Sequence, residues 1–214
     1  SNIQEEETLI SCRDLPSVIE AKEWKSCYQS ILGRGIELVD SGQIKKLVLA
    51  VRQSIYLQKP LDPLSILLRL RTEQRESCRF MWENNLGESF FGASPERLMT
   101  LQGNNLCSEA VAGTASVHSL GDSLLNSDKN LREHQVVVSS IAKQLSVQGC
   151  KPKYAPKPQI VRFGKLMHLR TRIFSKVTSS KPFQFIDNLH PTPAVSGFPI
   201  KDAMNWIRVL EPFE

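Results

Sequence analysis

Apolar and polar positions follow two different periods along this chain, and the switches between them mark out the elements. Between residues 21 and 39, Trp24, Tyr28, Ile31, Ile36 and Val39 are spaced for one face of an amphipathic helix, which Asp40-Ser41-Gly42 closes. Lys46-Leu47-Val48-Leu49-Ala50-Val51-Arg52 is rich in strand-forming residues, with Lys46, Val48 and Ala50 on one face. Asp62-Pro63 reads as the N-cap and first-turn proline of a second helix carrying Leu64, Ile66, Leu67, Leu68 and Leu70. Residues 78–82 and 89–91 are expected strands around the turn Asn84-Asn85-Leu86-Gly87. A second hairpin pairs 97–101 with 106–111 through Gln102-Gly103-Asn104-Asn105. A loop over 113–125 leads into a long helix where Val137, Val138, Ile141 and Leu145 recur at helical spacing, so one face of it must be buried. Residues 151–158 read as an extended connector, and 160–173 as a long strand or strand pair with Leu166, His168 and Arg170 on one side. Ala203, Ile207 and Leu210 mark a last helix between Pro199 and Glu211-Pro212. Helices and antiparallel hairpins mix without regular βαβ alternation or internal repeat, which predicts an α+β fold, mostly antiparallel sheet packed with helices.

Composition narrows the classes. The 214 residues, 41% of them hydrophobic, suffice for a real core in one large domain or two small ones. No uninterrupted apolar run is long enough to cross a bilayer, and the start Ser1-Asn2-Ile3-Gln4-Glu5-Glu6-Glu7 does not read as a signal peptide. Residues 1–20 are therefore expected to be a polar N-terminal segment ahead of a domain over 21–214. The five cysteines, scattered without Cys-x-x-Cys spacing, argue for reduced thiols rather than a disulfide framework or a zinc site. The net charge of +5 is concentrated in Lys151, Lys153, Lys157, Arg162, Lys165, Arg170, Arg172, Lys176 and Lys181. That span lacks interleaved aromatics and any known nucleic-acid motif, so it reads as a solvated basic face, with neither nucleic acid nor membrane as a partner.

The chemistry gathers around Asn126-Ser127-Asp128-Lys129-Asn130-Leu131-Arg132-Glu133-His134, which sets an ionisable Glu-His pair in the early part of the apolar helix. Glu133 lies one turn before Val137 and His134 one turn before Val138, at or beside the buried face. Taken alone, this pattern gives a rim carboxylate, favoured by the positive end of the helix dipole.

Four further segments change its meaning. Lys46-Leu47-Val48-Leu49-Ala50, Phe91-Gly92-Ala93-Ser94-Pro95-Glu96-Arg97-Leu98, Ser108-Glu109-Ala110-Val111-Ala112-Gly113-Thr114 and Leu189-His190-Pro191-Thr192-Pro193-Ala194-Val195-Ser196-Gly197-Phe198-Pro199 flank Arg132-Glu133-His134 in a fixed order. Together, from about Trp24 to Phe213, they resemble the chorismate-utilising enzymes, and most closely the isochorismate synthases of menaquinone and phylloquinone pathways. The resemblance implies the anthranilate synthase component I-like fold and the Mg²⁺-dependent conversion of chorismate to isochorismate. It gives Lys46 the role of the base, which requires a neutral amine, and Glu96 that of the acid protonating the departing hydroxyl, which requires a raised pKa. It makes Glu133 a Mg²⁺ ligand, a hard carboxylate able to share the ion with water and substrate oxygens. Gly113 and Thr114 would bring donors to a substrate carboxylate, and His190 and Thr192 would line the same pocket. His168 has a family counterpart, although a hydrogen-bonded strand histidine is an equal reading. Within the family, Lys46 favours delivery of water over amination. Ala112 replaces the nucleophilic lysine of aminodeoxychorismate synthases. Salicylate synthases share both features.

The sequence also departs from the family. Glu214 stands where an Asp is usual, and Val51 displaces an arginine, leaving Arg52 one place late on the other strand face. The family continues beyond the equivalent of Leu210-Glu211-Pro212-Phe213 to supply a glycine-rich turn, a carboxylate-gripping arginine, a second Mg²⁺ glutamate and a lysine. The resemblance therefore implies a C-terminally truncated chain that is inactive by itself, like the isochorismate-synthase-like modules of plant phylloquinone fusion proteins. The alternatives are a catalytically silent structural or docking module, fused to or assembled with other quinone-pathway enzymes, or a salicylate or anthranilate synthase type of enzyme. The expected location is cytoplasmic for a bacterial source and plastid for a plant source, with no targeting peptide in the chain.

Overall fold

Leu106, Ala110, Val137, Val138, Ile141, Leu145 and Ile173 meet in the main apolar core, where one face of a 20-residue helix lies on a long antiparallel ladder. Removing its Leu, Val and Ile side chains from water stabilises the fold by about 1.5–3 kcal/mol each. The structure, a computed structural model, describes residues 18–21, 25–118, 122–177 and 182–211. In chain order its elements are β1 (Val18–Ala21), α1 (Lys25–Asp40), β2 (Lys46–Leu47), β3 (Ile55–Leu57), α2 (Pro63–Glu73), β4 (Cys78–Glu83), β5 (Ser89–Ser94), β6 (Thr100–Gln102) and β7 (Asn105–Ser116). There follow α3 (Asp122–Leu125), α4 (Asp128–Val147), β8 (Lys153–Tyr154), β9 (Gln159–Phe163), β10 (Leu166–Lys176), α5 (Pro182–Leu189), β11 (Gly197–Phe198) and α6 (Ile200–Leu210). The α+β class read from the sequence is the one observed. Most of the segment over 1–20, with Trp24 and residues 212–214, lies outside the described residues.

Two units divide the chain, Ser1–Glu23 with Gln53–Pro95, and Trp24–Arg52 with Glu96–Glu214. In the first, β1 pairs antiparallel with β3, and β4 with β5, with α2 packed along that hairpin. Asp62 caps α2 as expected, accepting the Leu64 N–H at 3.2 Å ahead of Pro63. The β4–β5 turn is held by Asn84, whose Oδ1 accepts the N–H groups of Leu86 and Glu88, while Gly87 takes a φ of 78°. Because the Asp62 carboxylate satisfies an otherwise orphaned helix donor, Asp62→Ala is expected to cost about 1 kcal/mol in urea unfolding. An unchanged midpoint would show that the cap contributes nothing.

The second unit is built on a five-stranded sheet in the order β6-β7-β10-β8, with β9 sharing the β10 edge. β7 and β10 form its spine, in register from Asn105↔Lys176 to Ser116↔Leu166. Here the structure corrects the expected loop over 113–125. Gly113 and Thr114 are strand residues, because the register shift between His168 and Leu169 leaves Gly113 as an extra residue in β7. Its φ of 77° is the left-handed conformation a bulge of this kind takes, so the glycine bends the strand and does not end it. Residues 122–125 of that stretch form α3. The connector contains β8, and 160–173 is the strand pair, β9 and β10, turned at Gly164 with φ 58°.

Three other expectations change. In α1 the buried face is formed by Gly35 and Leu38, flanked by half-buried Tyr28 and Ile31, whereas Ile36 and Val39 are exposed. The strand expected over 46–52 is regular only at Lys46 and Leu47. Its partner β11 is equally short, and the Ala50 N–H is taken at 2.7 Å by the Glu211 carboxylate instead of a neighbouring strand. Helix α5, unanticipated, seals the core with Phe185 and Leu189.

Candidate active site

Lys46 sits on a two-residue ladder in which it faces Phe198 and Leu47 faces Gly197. Flanking bonds extend the pairing: the Lys45 N–H donates to Phe198 O at 2.8 Å and the Val48 N–H to Ser196 O at 3.1 Å. From this platform Lys46 Nζ reaches Glu133 Oε1 at 2.8 Å, 87 residues later in the chain. The lysine side chain is 17% exposed and the glutamate 34%, so the pair is only partly wet.

The rotation of α4 decides where Glu133 points. Ser127 caps the helix by accepting the Asn130 N–H at 3.3 Å. One residue after Glu133, the buried His134 places Nε2 2.8 Å from Thr171 Oγ1 on β10. With Val137 and Val138 in the core, this polar contact pins the sheet-facing side of the helix, and Glu133, about 100° further round, stands at the rim beside Lys46. Burial pushes the His134 imidazole below its usual range, against the opposing pull of the Ala112 carbonyl and the Glu133 carboxylate.

Glu96 lies in the segment leading to β6 and is half-buried. Loss of hydration pushes its carboxyl up to about 7, with Lys46 acting to lower it and Glu109 to raise it further. Glu109 is itself held by Arg172, its cross-strand partner, with Nε 3.1 Å from Oε1. A carboxyl that keeps its proton near neutral pH, within the field of a lysine, is an acid ready to donate.

On the β7 bulge, Thr114 Oγ1 is 3.1 Å from His168 Nδ1, and burial lowers the His168 pKa while the Gly113 backbone raises it. A Cβ at Gly113 would press on Asn130 Cβ at 3.3 Å and Leu169 Cδ1 at 3.4 Å, so the start of α4 packs closely onto the bulge. His190 and Thr192 stand apart in the described contacts. His190 is exposed just beyond α5, and Thr192 is buried with its hydroxyl accepting the Ala194 N–H at 3.3 Å. Their segment bears on the site through Ser196, Gly197 and Phe198, which hold the Lys46 strand. These three, with Glu109, Asn130 and Thr171, are the residues that sequence reasoning passed over. All of them except Thr171 stood within the quoted segments, and only tertiary contacts single them out.

A cavity of about 930 Å³ opens beside α4 between Val136, Lys143, Phe185 and Ile200. Its walls carry no acid, and Lys46, Glu96 and Glu133 lie outside them. Among the described residues no three His, Cys, Asp or Glu side chains gather as a metal cluster, and no helix is long and apolar enough to cross a membrane. Glu133 is nonetheless a hard oxygen donor that already holds a cation, the Lys46 ammonium.

The chain is 30% identical over 184 residues to the isochorismate synthase MenF of Haemophilus influenzae, a match covering 82% of this chain and 43% of that protein. The solved structure of MenF, the menaquinone-specific isochorismate synthase from Escherichia coli, superposes with a TM-score of 0.84 at 28% identity, over 99% of this chain and 53% of that one. Anthranilate synthase component I from Streptococcus pneumoniae shares the fold, with a TM-score of 0.75 at 20% identity over 98% of this chain and 49% of its own. The chain thus spans about half the length of the proteins it matches. The family model described as chorismate binding enzyme matches residues 2–214, nearly the whole sequence, and the chain belongs to that family.

Proposed function

We propose that this chain carries the catalytic groups of an isochorismate synthase. The supporting observation is the meeting of Lys46 with Glu133 at 2.8 Å, within the field of a Glu96 carboxyl that holds its proton to about pH 7. In the reaction, water adds to one ring carbon of chorismate while a hydroxyl leaves another as water, so one water is consumed, one is released, and the product is an isomer. Once its ammonium has given a proton to solvent, Lys46 Nζ accepts the proton of the attacking water, and Glu96 gives its own to the departing hydroxyl. The Gly113 backbone and the Thr114 hydroxyl, oriented by His168, offer donors to a substrate carboxylate. The turn containing His190 and Thr192 lines the pocket and supports the Lys46 strand. Mg²⁺ suits Glu133, whose oxygen the Lys46 ammonium now occupies; when bound, the ion supplies positive charge that binds and polarises the substrate carboxylate.

The test is incubation of the purified protein with chorismate and Mg²⁺, with product resolved by chromatography and binding followed by NMR shifts at Thr114 and His168. The isolated chain is expected to bind chorismate without turnover, since it spans only about half the length of the relatives it matches. Thr114→Ala should weaken binding about tenfold. Failure to bind chorismate, or isochorismate formation that survives Lys46→Ala, would sink the proposal. The half-length match to relatives favours a second reading, a silent docking module of a larger quinone-pathway assembly. Binding without turnover in every longer polypeptide that contains the chain would select it.

A further inference from the structure

We infer that Lys46 is a built-in competitor for the cation site at Glu133, so that a divalent ion and the lysine ammonium occupy the carboxylate alternately. This rests on the proposed role of Glu133 as a metal ligand. Lys46 Nζ is 2.8 Å from Oε1, so a divalent ion arriving at the same carboxylate meets a positive charge within a few ångströms and is repelled by it. The contact is supported from both sides: the β2–β11 ladder fixes the lysine backbone, and the His134–Thr171 contact fixes the helix that carries the glutamate. With both backbones held in this way, an arriving ion displaces the ammonium most simply by a swing of the lysine side chain. Such a swing is feasible for a flexible four-carbon stem, and Glu133, a third exposed, gives the ion a wet route in. Displacement would also free the ammonium from its carboxylate, leaving Nζ able to lose its proton to solvent and face the substrate. Lys45 offers a control, being exposed and directed instead over the Phe198 ring at 6.0 Å.

Mn²⁺, whose free form is counted directly by electron paramagnetic resonance, serves as the probe on the 214-residue protein at fixed pH and ionic strength. Lys46→Met should tighten Mn²⁺ binding roughly tenfold, the scale of one partly buried ion pair. Lys46→Arg, which keeps a cation there, should stay near the parent affinity. Lys45→Met should change it less than threefold or so, because it removes the same charge without vacating the carboxylate. Glu133→Gln in the Lys46→Met background should abolish the gain. Circular dichroism confirms that each variant is folded, and Lys46→Gln replaces the methionine variant if that one is not. Equal affinities for parent and Lys46→Met, with Glu133→Gln still weakening binding, would overturn the competition and leave the metal reading standing. A gain from Lys45→Met as large as from Lys46→Met would also overturn it, since general charge would then suffice. Binding indifferent to Glu133→Gln, or no binding of millimolar Mn²⁺ by any variant, would remove the metal reading and the competition with it.

Discussion

Gly197→Ala is expected to lower the unfolding free energy by roughly 3–5 kcal/mol and to detach Lys46 from Glu133. Gly197 has a φ of 129°, a region that side-chain-bearing residues rarely enter. An added Cβ would collide with the Lys46 carbonyl oxygen, and would lie 3.0 Å from Leu47 Cα and 2.9 Å from Ala203 Cβ. Two of those neighbours are backbone atoms and cannot rotate away, so the β2–β11 ladder must open. The strand carrying Lys46 would then lose the Lys45-to-Phe198 and Val48-to-Ser196 bonds that flank it. Gly103→Ala provides the comparison, because Gly103 also has positive φ, 56°, but nothing lies within 4 Å of its Cβ position. It should cost about 1 kcal/mol, from backbone conformation alone. Urea unfolding of both variants checks this; a Gly197→Ala loss no larger than that of Gly103→Ala would mean that the close approach is relieved cheaply.

Glu96→Gln is expected to raise thermal stability at pH 8 and leave it unchanged at pH 4. The native carboxyl titrates near 7 because burial disfavours its charge, against an ordinary value of 4.5. Its folded pKa is thus the higher one, and the native state binds the proton more tightly than the unfolded chain. Stability from this group is fully present below pH 4.5, is lost as pH rises toward 7, and is constant above. Glutamine, neutral throughout, escapes the loss. The gain at pH 8 should reach about 2 kcal/mol, less than the full shift because part of the carboxyl remains hydrated, or about 4–8 °C in Tm. His134 and His168 act in the opposite direction, their lowered pKa values making stability fall as pH drops through the normal histidine range. They are common to both proteins and cancel in the difference. A gap in Tm that is independent of pH, or that opens toward acid, would show that Glu96 is not held protonated by burial. In a longer polypeptide that contains the chain and turns chorismate over, the same variant removes the proposed acid, so catalysis there should fall while stability rises, as expected where a site stores an unfavourable group for chemistry.

Much of the architecture was legible because its signals are local. Val137, Val138, Ile141 and Leu145 repeat with the period of a helix and are buried as that period requires. Asp62-Pro63 and Ser127 act as caps through atoms two or three residues away. Where a signal depends on a partner elsewhere, local reading fails. Gly113 looks like the end of a strand until His168 and Leu169 lie opposite it, when it becomes a bulge. Val48 to Arg52 has strand composition, yet the Glu211 carboxylate takes the Ala50 N–H that a neighbouring strand would need. The α1 stripe was drawn through Ile36 and Val39, while packing chose Gly35 and Leu38, a choice that depends on what lies against the helix.

The sequence by itself determined the α+β class, the long amphipathic helix with its Glu-His pair, and, through motif order, the chorismate binding family. Residue types and their periods act over one or two turns of chain, and they carry that information without a partner. Only the tertiary structure decided that Lys46 and Glu133, 87 residues apart, meet as an ion pair at 2.8 Å, and that burial pushes the Glu96 carboxyl up to about 7. Distance and desolvation are properties of the packed chain, set by the β2–β11 ladder and the rotation of α4.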